Sequence, residues 1–371
     1  MANKKYLVIG LMSGTSLDGV DAALIETDGY DYAKPLAFHY QAYSEEDRAQ
    51  IRPCFGQRDR DTEDVKAAEK LLTIRHAEAV KALLKKENLS ENEIDLIGFH
   101  GQTIFHAPQE RLTIQIGDGN LLAQETGIDV IYDFRTNDVL SGGEGAPLAP
   151  IYHRALAKTA NLEPPFVILN IGGVANVTWI GENDDDILAF DTGPGNALMD
   201  DWIQKQTGQR YDEDGKLAAA GSPIISLLEQ WHQHPYFKRV PPKSLDRNEW
   251  DIADLGQVSE NMKEVSVEDG AATLLQFSVE TILKSRDHMP TEPKVWYACG
   301  GGRHNKALMS ALSKEIAIKS IDELGWDGDA VEAECFAYLA VRSELGLPIS
   351  FPLTTRIEHP LSGGVKAQAS S

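Results

Sequence analysis

Four short segments carry the residue types needed to grip an anion: Gly10-Leu-Met-Ser-Gly-Thr-Ser-Leu-Asp-Gly19, Asn170-Ile-Gly-Gly-Val-Ala-Asn176, Asp191-Thr-Gly-Pro-Gly-Asn196 and Ala298-Cys-Gly-Gly-Gly-Arg-His-Asn305. Each places glycine where a strand ends, so the backbone can approach a phosphate and its N–H groups can converge on it, with Ser and Thr hydroxyls as further donors. One such segment alone reads equally well as a tight turn. Four together favour a nucleotide. The residues expected to face it are Ser13, Gly14, Thr15, Ser16, Leu17, Asp18, Gly19, Val20 and Asp21 in the first segment and Asn170, Gly172, Gly173 and Asn176 in the second. Gly193 comes from the third and Gly300, Gly301 and Gly302 from the fourth. No G-x-x-x-x-G-K-[ST], no G-x-G-x-x-G after a strand and no H-R-D with D-F-G occurs, so the cradle is of another type.

Among the acids, Asp191 ends an apolar strand and opens a Gly-Pro-Gly turn, a place where a carboxylate can face a cleft. With an ordinary pKa of about 3.9 it is ionised at neutral pH and able to accept a proton; the alternative is a cap on the turn that follows. Asp18 and Asp21 flank the first glycine segment, where either could hold Mg²⁺ through water or cap the turn. Most of the metal's coordination is expected from nucleotide phosphates and water, with no protein ligand assigned. His100 and His106 lack a third clear ligand for zinc. His232 and His234 read as solvated, and Asp184 to Asp186 as a charged hairpin tip.

These residues need elements to position them. Tyr6 to Gly10 and Val20 to Ile25 read as strands joined by the first glycine segment, and Phe166 to Ile171 with Asn176 to Ile180 repeat that hairpin around Gly172-Gly173. The chain therefore looks internally duplicated. Between the hairpins lie a long helix opened by Glu63 and Asp64, a short capped helix at Ser90 to Glu93, and strands at Leu96 to Phe99, Leu112 to Ile116 and Val130 to Tyr132. A helical pattern at Leu121 to Glu125 precedes the last strand, and Pro147 to Lys158 reads as a helix joining the halves. Beyond the second hairpin come helices at Asp269 to Arg286, Asn305 to Leu312 and Ala330 to Arg342, and a strand at Val295 to Ala298. The tail from Phe351 has little periodicity.

With 371 residues the chain exceeds one usual core, so two α/β domains are expected, 1–137 plus 352–371 and 138–351. A net charge of -22 excludes nucleic acid and an anionic membrane surface as partners, since both repel such a chain. Three widely spaced cysteines fit a reducing compartment, hence a cytoplasmic protein. The opening Met1-Ala-Asn-Lys-Lys is not followed by a long enough apolar run for a signal peptide, because Ser13-Gly14 interrupts it.

A duplicated α/β unit with a Gly/Ser/Thr hairpin in each half and a late Gly-Gly-Gly turn resembles the sugar kinase, Hsp70 and actin superfamily. That resemblance implies a two-domain actin-like ATPase fold with a duplicated mixed-sheet core and a central cleft. It narrows further. Met12-Ser-Gly-Thr-Ser-Leu-Asp-Gly-Val-Asp21, His100-Gly-Gln-Thr-Ile-Phe-His106, Phe134-Arg-Thr-Asn-Asp138 and Phe190-Asp-Thr-Gly-Pro-Gly-Asn196 together resemble the anhydro-N-acetylmuramic acid kinases, from about Gly10 to about Tyr338. The resemblance implies a homodimeric enzyme of cell-wall sugar recycling that uses ATP and Mg²⁺. It would open the 1,6-anhydro bridge of its sugar while phosphorylating O6, with Asp191 activating water.

The polar groups expected around the small sugar are His100, Gln102, Thr103, Asn120, Arg135 and Glu332. Arg135 could pair in bidentate fashion with the lactyl carboxylate, or make an ordinary salt bridge. Glu332, in apolar company, is either buried with a partner or facing the cleft. A kinase for another amino sugar and a non-catalytic ATP- or sugar-sensing module stay open as alternatives.

Overall fold

The computed structural model describes residues 3–14, 16–183, 186–245 and 265–369, so Thr15, Asp184 and Asp185 lie outside the described residues. The chain divides into two compact units, one formed by Met1–Leu162 with Ala330–Ser371 and the other by Glu163–Asp329.

In the first unit β1 (Tyr6–Met12), β2 (Gly19–Thr27) and β3 (Ala33–Ala42) are consecutive and antiparallel. β4 (Leu96–Phe99) then joins β1 in parallel, and β7 (Val130–Tyr132) joins β4 in parallel. Between them β5 (Gln102–Ala107) and β6 (Leu112–Ile116) form a separate ribbon. The tail is not structureless: β13 (Val365–Ala367) closes the edge against β7, giving the order β13-β7-β4-β1-β2-β3.

Residue alternation along β1 sends its side chains to two different helices. Ile9 and Leu11 share a buried cluster with Leu72 and Val80 of the helix Glu63–Glu87. Thr62 caps that helix by accepting the Val65 N–H, Glu63 and Asp64 sit at its positive end, and Asn88 ends it at φ 57°. Gly10 faces the other way, toward the helix Val331–Glu344, whose Ala333 carbonyl would lie 1.8 Å from any Cβ placed there. Gly98 on β4 repeats the contact against the Phe336 carbonyl at 2.0 Å.

This close seating explains why the boundaries differ from those expected at 137/138 and 351/352. The helix Val331–Glu344 is buried along most of its length, and its Tyr338 and Arg342 donate to the carbonyls of Tyr30 and Gly29. The helix Pro150–Thr159 also belongs there, Thr159 accepting the Ala33 N–H and Tyr152 donating to Glu334.

The second unit repeats the succession. β8 (Phe166–Ile171), β9 (Val174–Ile180) and β10 (Ile187–Pro194) are antiparallel neighbours; β11 (Val295–Cys299) pairs with β8 in parallel and β12 (Ile318–Ser320) with β11 in parallel. The order β10-β9-β8-β11-β12 is that of β3-β2-β1-β4-β7. Its core gathers Trp202, Trp231, Phe277 and Trp296 around the helix Val267–Lys284. The two units thus share one mixed-sheet α/β succession, the duplicated core that the sequence predicts.

Candidate active site

In the first unit the loop between β1 and β2 spans Ser13–Asp18 and is held from outside. Arg48 donates to the carbonyls of Leu17 and Asp18 at 2.9 and 3.4 Å, and the Tyr40 hydroxyl donates to the Asp18 carbonyl at 2.9 Å. Leu17 sits in left-handed backbone at φ 56° with its side chain buried, so only its main chain can serve a ligand. Ser16 and Asp18 are exposed. Ser13 is different: its buried hydroxyl donates to Gln102 Oε1 at 2.9 Å and accepts from the Tyr43 hydroxyl at 3.0 Å. That ties Ser13 to β5 and to Tyr43. Gly19, Val20 and Asp21 lie inside β2, paired to β3, so the loop proper is shorter than its motif.

At the end of β4, His100 is buried and stacked on Phe336 with ring centroids 4.5 Å apart. Arg135 reaches it from the start of the short helix Thr136–Leu140, Nε donating to His100 Nε2 at 3.0 Å and Nη1 to the Gly145 carbonyl at 2.6 Å. Burial lowers the Arg135 guanidinium from its ordinary value, with Glu332 opposing. Glu332 itself is exposed in the first turn of its helix. The buried, partnered acid of that helix is Glu334, bonded by the Tyr152 hydroxyl at 2.7 Å.

The remaining expected sugar contacts divide. Gln102 is fully buried and tied to Ser13, Thr103 accepts from Gln115 at 3.2 Å, and Asn120 is exposed in the first turn of the helix Gly119–Thr126. A shallow recess beside His100 is lined also by Arg60, Gln115, Tyr132 and Asp133, none of which the sequence reading placed at the site. Asp133 was within reach of it, adjoining the Phe134-Arg-Thr-Asn-Asp138 motif. Its left-handed φ of 57° marks the strand-to-helix corner.

In the second unit three of the four glycine segments converge. The Gly172 and Gly173 carbonyls accept from the backbone N–H groups of Asn196 and Gly195 at 2.8 and 2.9 Å, tying the β8–β9 turn to the start of the helix Ala197–Thr207. Gly300, at φ 72°, lies so near Asn170 that a Cβ would stand 2.3 Å from Oδ1, which only glycine allows. Gly301 is open, Gly302 packs on Ile171, and Asn176 pairs across the hairpin with Asn170. Arg303 locks the fourth segment: 4% exposed, it donates to Asp322 at 3.0 Å, Asp329 at 2.9 Å and the Gly300 carbonyl at 3.1 Å.

Asp191 stands where β10 bulges before Gly193. Its N–H donates to the Lys243 carbonyl at 2.9 Å, its carbonyl accepts from the Tyr236 hydroxyl at 2.5 Å, and its Oδ2 accepts from the Leu245 N–H at 2.7 Å. The Leu245 N–H, from a distant segment, thus helps to orient the carboxylate. Tyr236, Lys243 and Leu245 follow Asp191 by 45 residues or more, with no motif to announce them.

Among the described residues no group of three or more His, Cys, Asp or Glu could hold a metal ion, and no helix is long and apolar enough to cross a membrane. His232 is not solvated as expected but donates or accepts at Glu280 across 2.6 Å, packed against Phe237 and Phe277. The three cysteines are buried and are not joined in disulfides.

A family profile described as anhydro-N-acetylmuramic acid kinase matches residues 6–368. A relative of that name from Rhizorhabdus wittichii is 47% identical over 368 residues, covering 97% of this chain and 98% of the relative. Another, from Zymomonas mobilis subsp. mobilis, is 47% identical over 371 residues, covering 96% and 98%. Among solved structures, component A of (R)-2-hydroxyglutaryl-CoA dehydratase from Acidaminococcus fermentans aligns with a TM-score of 0.47 at 13% identity, covering 91% of this chain and 99% of that one. With a profile match and relatives that both run nearly end to end, the chain belongs to the anhydro-N-acetylmuramic acid kinase family.

Proposed function

We propose that this kinase transfers the γ-phosphoryl group of ATP to O6 of 1,6-anhydro-N-acetylmuramic acid while water opens the anhydro bridge, yielding N-acetylmuramic acid 6-phosphate and ADP. The observation that carries this reading is the family match over residues 6–368. On it, the water oxygen bonds to C1, the C1–O6 bond breaks, O6 bonds to the γ-phosphorus, and the bond from that phosphorus to ADP breaks. The proton released by water passes to Asp191.

Asp191 suits that task because the Leu245 N–H holds one carboxylate oxygen while the bonds at both ends of its peptide unit keep the residue in place. Each unit carries its own groups suited to phosphate: in the first, the backbone amides of Gly14 and Ser16 to Asp18 and the Ser16 hydroxyl; in the second, the Gly172–Gly173 and Gly300–Gly302 turns. The exposed oxygen donors of the first loop, Asp18 among them, suit a hard cation. Mg²⁺ carried on the phosphates would neutralise charge as transfer proceeds. Arg135 is oriented by His100 to receive a carboxylate such as the lactyl group of muramic acid. On the same reading the enzyme is a cytoplasmic homodimer, and a light-scattering mass equal to one chain would remove the dimer from it.

The test is product analysis after incubation with ATP, Mg²⁺ and the anhydro sugar in ¹⁸O water. A 6-phosphate carrying ¹⁸O at C1 is expected. Unlabelled phosphorylated sugar would point to simple transfer to an open hydroxyl, and binding without turnover to a sensor.

A further inference from the structure

Lys243 is a lysine in an unusual place: only 6% exposed, it is bracketed by the two main-chain groups that hold Asp191, its own carbonyl and the Leu245 N–H. Its Nζ lies 4.5 Å from the centroid of the Tyr236 ring and 3.5 Å from the Tyr236 carbonyl oxygen. Tyr236 in turn donates its hydroxyl to the Asp191 carbonyl at 2.5 Å. A tyrosine face and one long hydrogen bond are a thin substitute for water around an ammonium, so such a cation is kept only where a nearby anion compensates.

We infer that Lys243 is a positioning residue for the reaction, its buried ammonium holding the Asp191 carboxylate in the ionised, proton-accepting form. The inference rests on the reading of Asp191 as the base.

Among the described residues, Asp191 is the acid that acts on Lys243. Arg239 and Lys284 repel the ammonium, Asp191 attracts it, and burial, the largest influence, brings its pKa down to about 8. His288 faces the same site with its ring edge on Phe190. Burial first and then Lys243 lower its pKa, Asp287 opposing, so His288 adds no positive charge at neutral pH. Lys243 thus remains charged at pH 7, and the attraction is reciprocal: whatever Asp191 does for the ammonium, the ammonium does for the carboxylate. After turnover the same cation favours return of the captured proton to solvent, which resets the base.

Two measurements test this. The first is kcat/KM against pH for the native enzyme, Lys243→Met, Lys243→Gln and Lys243→Arg, each checked for a native thermal transition. The acid limb is expected to move up by about one pH unit in the neutral variants and to stay in place in Lys243→Arg. A limb that coincides with the native one in a folded neutral variant overturns the inference. The second needs no change at Lys243: NMR titration of its ¹³Cε in the native protein and in Asp191→Asn. Loss of the carboxylate should lower the lysine's pKa below its native value, and identical titrations would overturn the proposal. Asp191→Asn also tests the underlying reading separately. If it turns over at the native rate, the base assignment fails; if it is inactive while neither titration moves, only the role of Lys243 fails.

Discussion

The Nε–H of Arg135 donates to Nε2 of His100 across 3.0 Å, and this bond fixes the protonation of the histidine. A guanidinium can only donate, so Nε2 is bare and the ring proton sits on Nδ1, which donates to the Gly101 carbonyl at 2.9 Å. Burial first and Arg135 second hold the His100 pKa well below its ordinary value. His100 is therefore a fixed acceptor that aims Arg135, not an acid or base at neutral pH.

Arg135→Lys keeps the charge but loses the planar fork and the Nε donor that His100 orients. It is expected to lower kcat/KM by about tenfold to a hundredfold, the equivalent of ~1.5–3 kcal/mol for a charge-assisted pair, mostly through KM. The check is steady-state kinetics on the anhydro sugar and on the same sugar with its lactyl carboxylate amidated. A variant that loses equally on both substrates would show that Arg135 does not read the carboxylate.

Asp191→Asn preserves shape and the acceptor for the Leu245 N–H but cannot take a proton. A drop in kcat of about 10²- to 10⁴-fold with KM little changed is expected, the usual worth of a general base. Equal kcat in single-turnover measurements would exclude the role.

Much of this was legible in the sequence where local chemistry demands particular residues. The turns Ser13–Asp18, Gly172–Gly173 and Gly300–Gly302 require small residues and hydroxyls, and the flanking strands β1, β8 and β11 are buried on both faces and read as apolar runs. β3 was not read, being half exposed and interrupted by Pro35, and β12 and β13 are three residues each, too short for any period. The hold on Asp191 by Tyr236, Lys243 and Leu245 depends on a distant chain segment returning to β10, and nothing local records it. Glu332 and Glu334 share one helix and one composition; which is buried depends on Tyr152 of another helix.

Gly98→Ala tests the seating of the helix Val331–Glu344 on the first sheet. The new methyl would stand 2.0 Å from the Phe336 carbonyl oxygen and 2.5 Å from its carbon, both backbone atoms of a helix that cannot swing aside. Overpacking of this kind costs about 1–3 kcal/mol or more, so a lower thermal midpoint or loss of soluble protein is expected. A native midpoint would mean that the helix is less tightly seated than its distances imply.

Stability should also fall with acid in a window that carboxylates do not explain. His76 and His153 are buried and neutral, burial lowering each from 6.5 to about 4, the His76 Nδ1–H bond to the Leu72 carbonyl opposing only weakly. His100 is likewise held well below its ordinary value, by burial and then Arg135. In the unfolded chain these rings bind protons below about pH 6.5, while the folded chain refuses them until far lower. The stabilisation is therefore complete above pH 6.5 and is lost as pH falls toward the folded values, by about 3 kcal/mol for a ring displaced as far as His76. Ordinary carboxylates begin to matter only near pH 4–5. The thermal midpoint is thus expected to drop steadily from about pH 6.5 to about pH 5, and His76→Phe, which keeps a ring against Phe99 but cannot take a proton, should flatten that slope by close to one proton's worth. An unchanged slope in a folded His76→Phe would show that the ring already carries a proton in the native state, which its packing forbids.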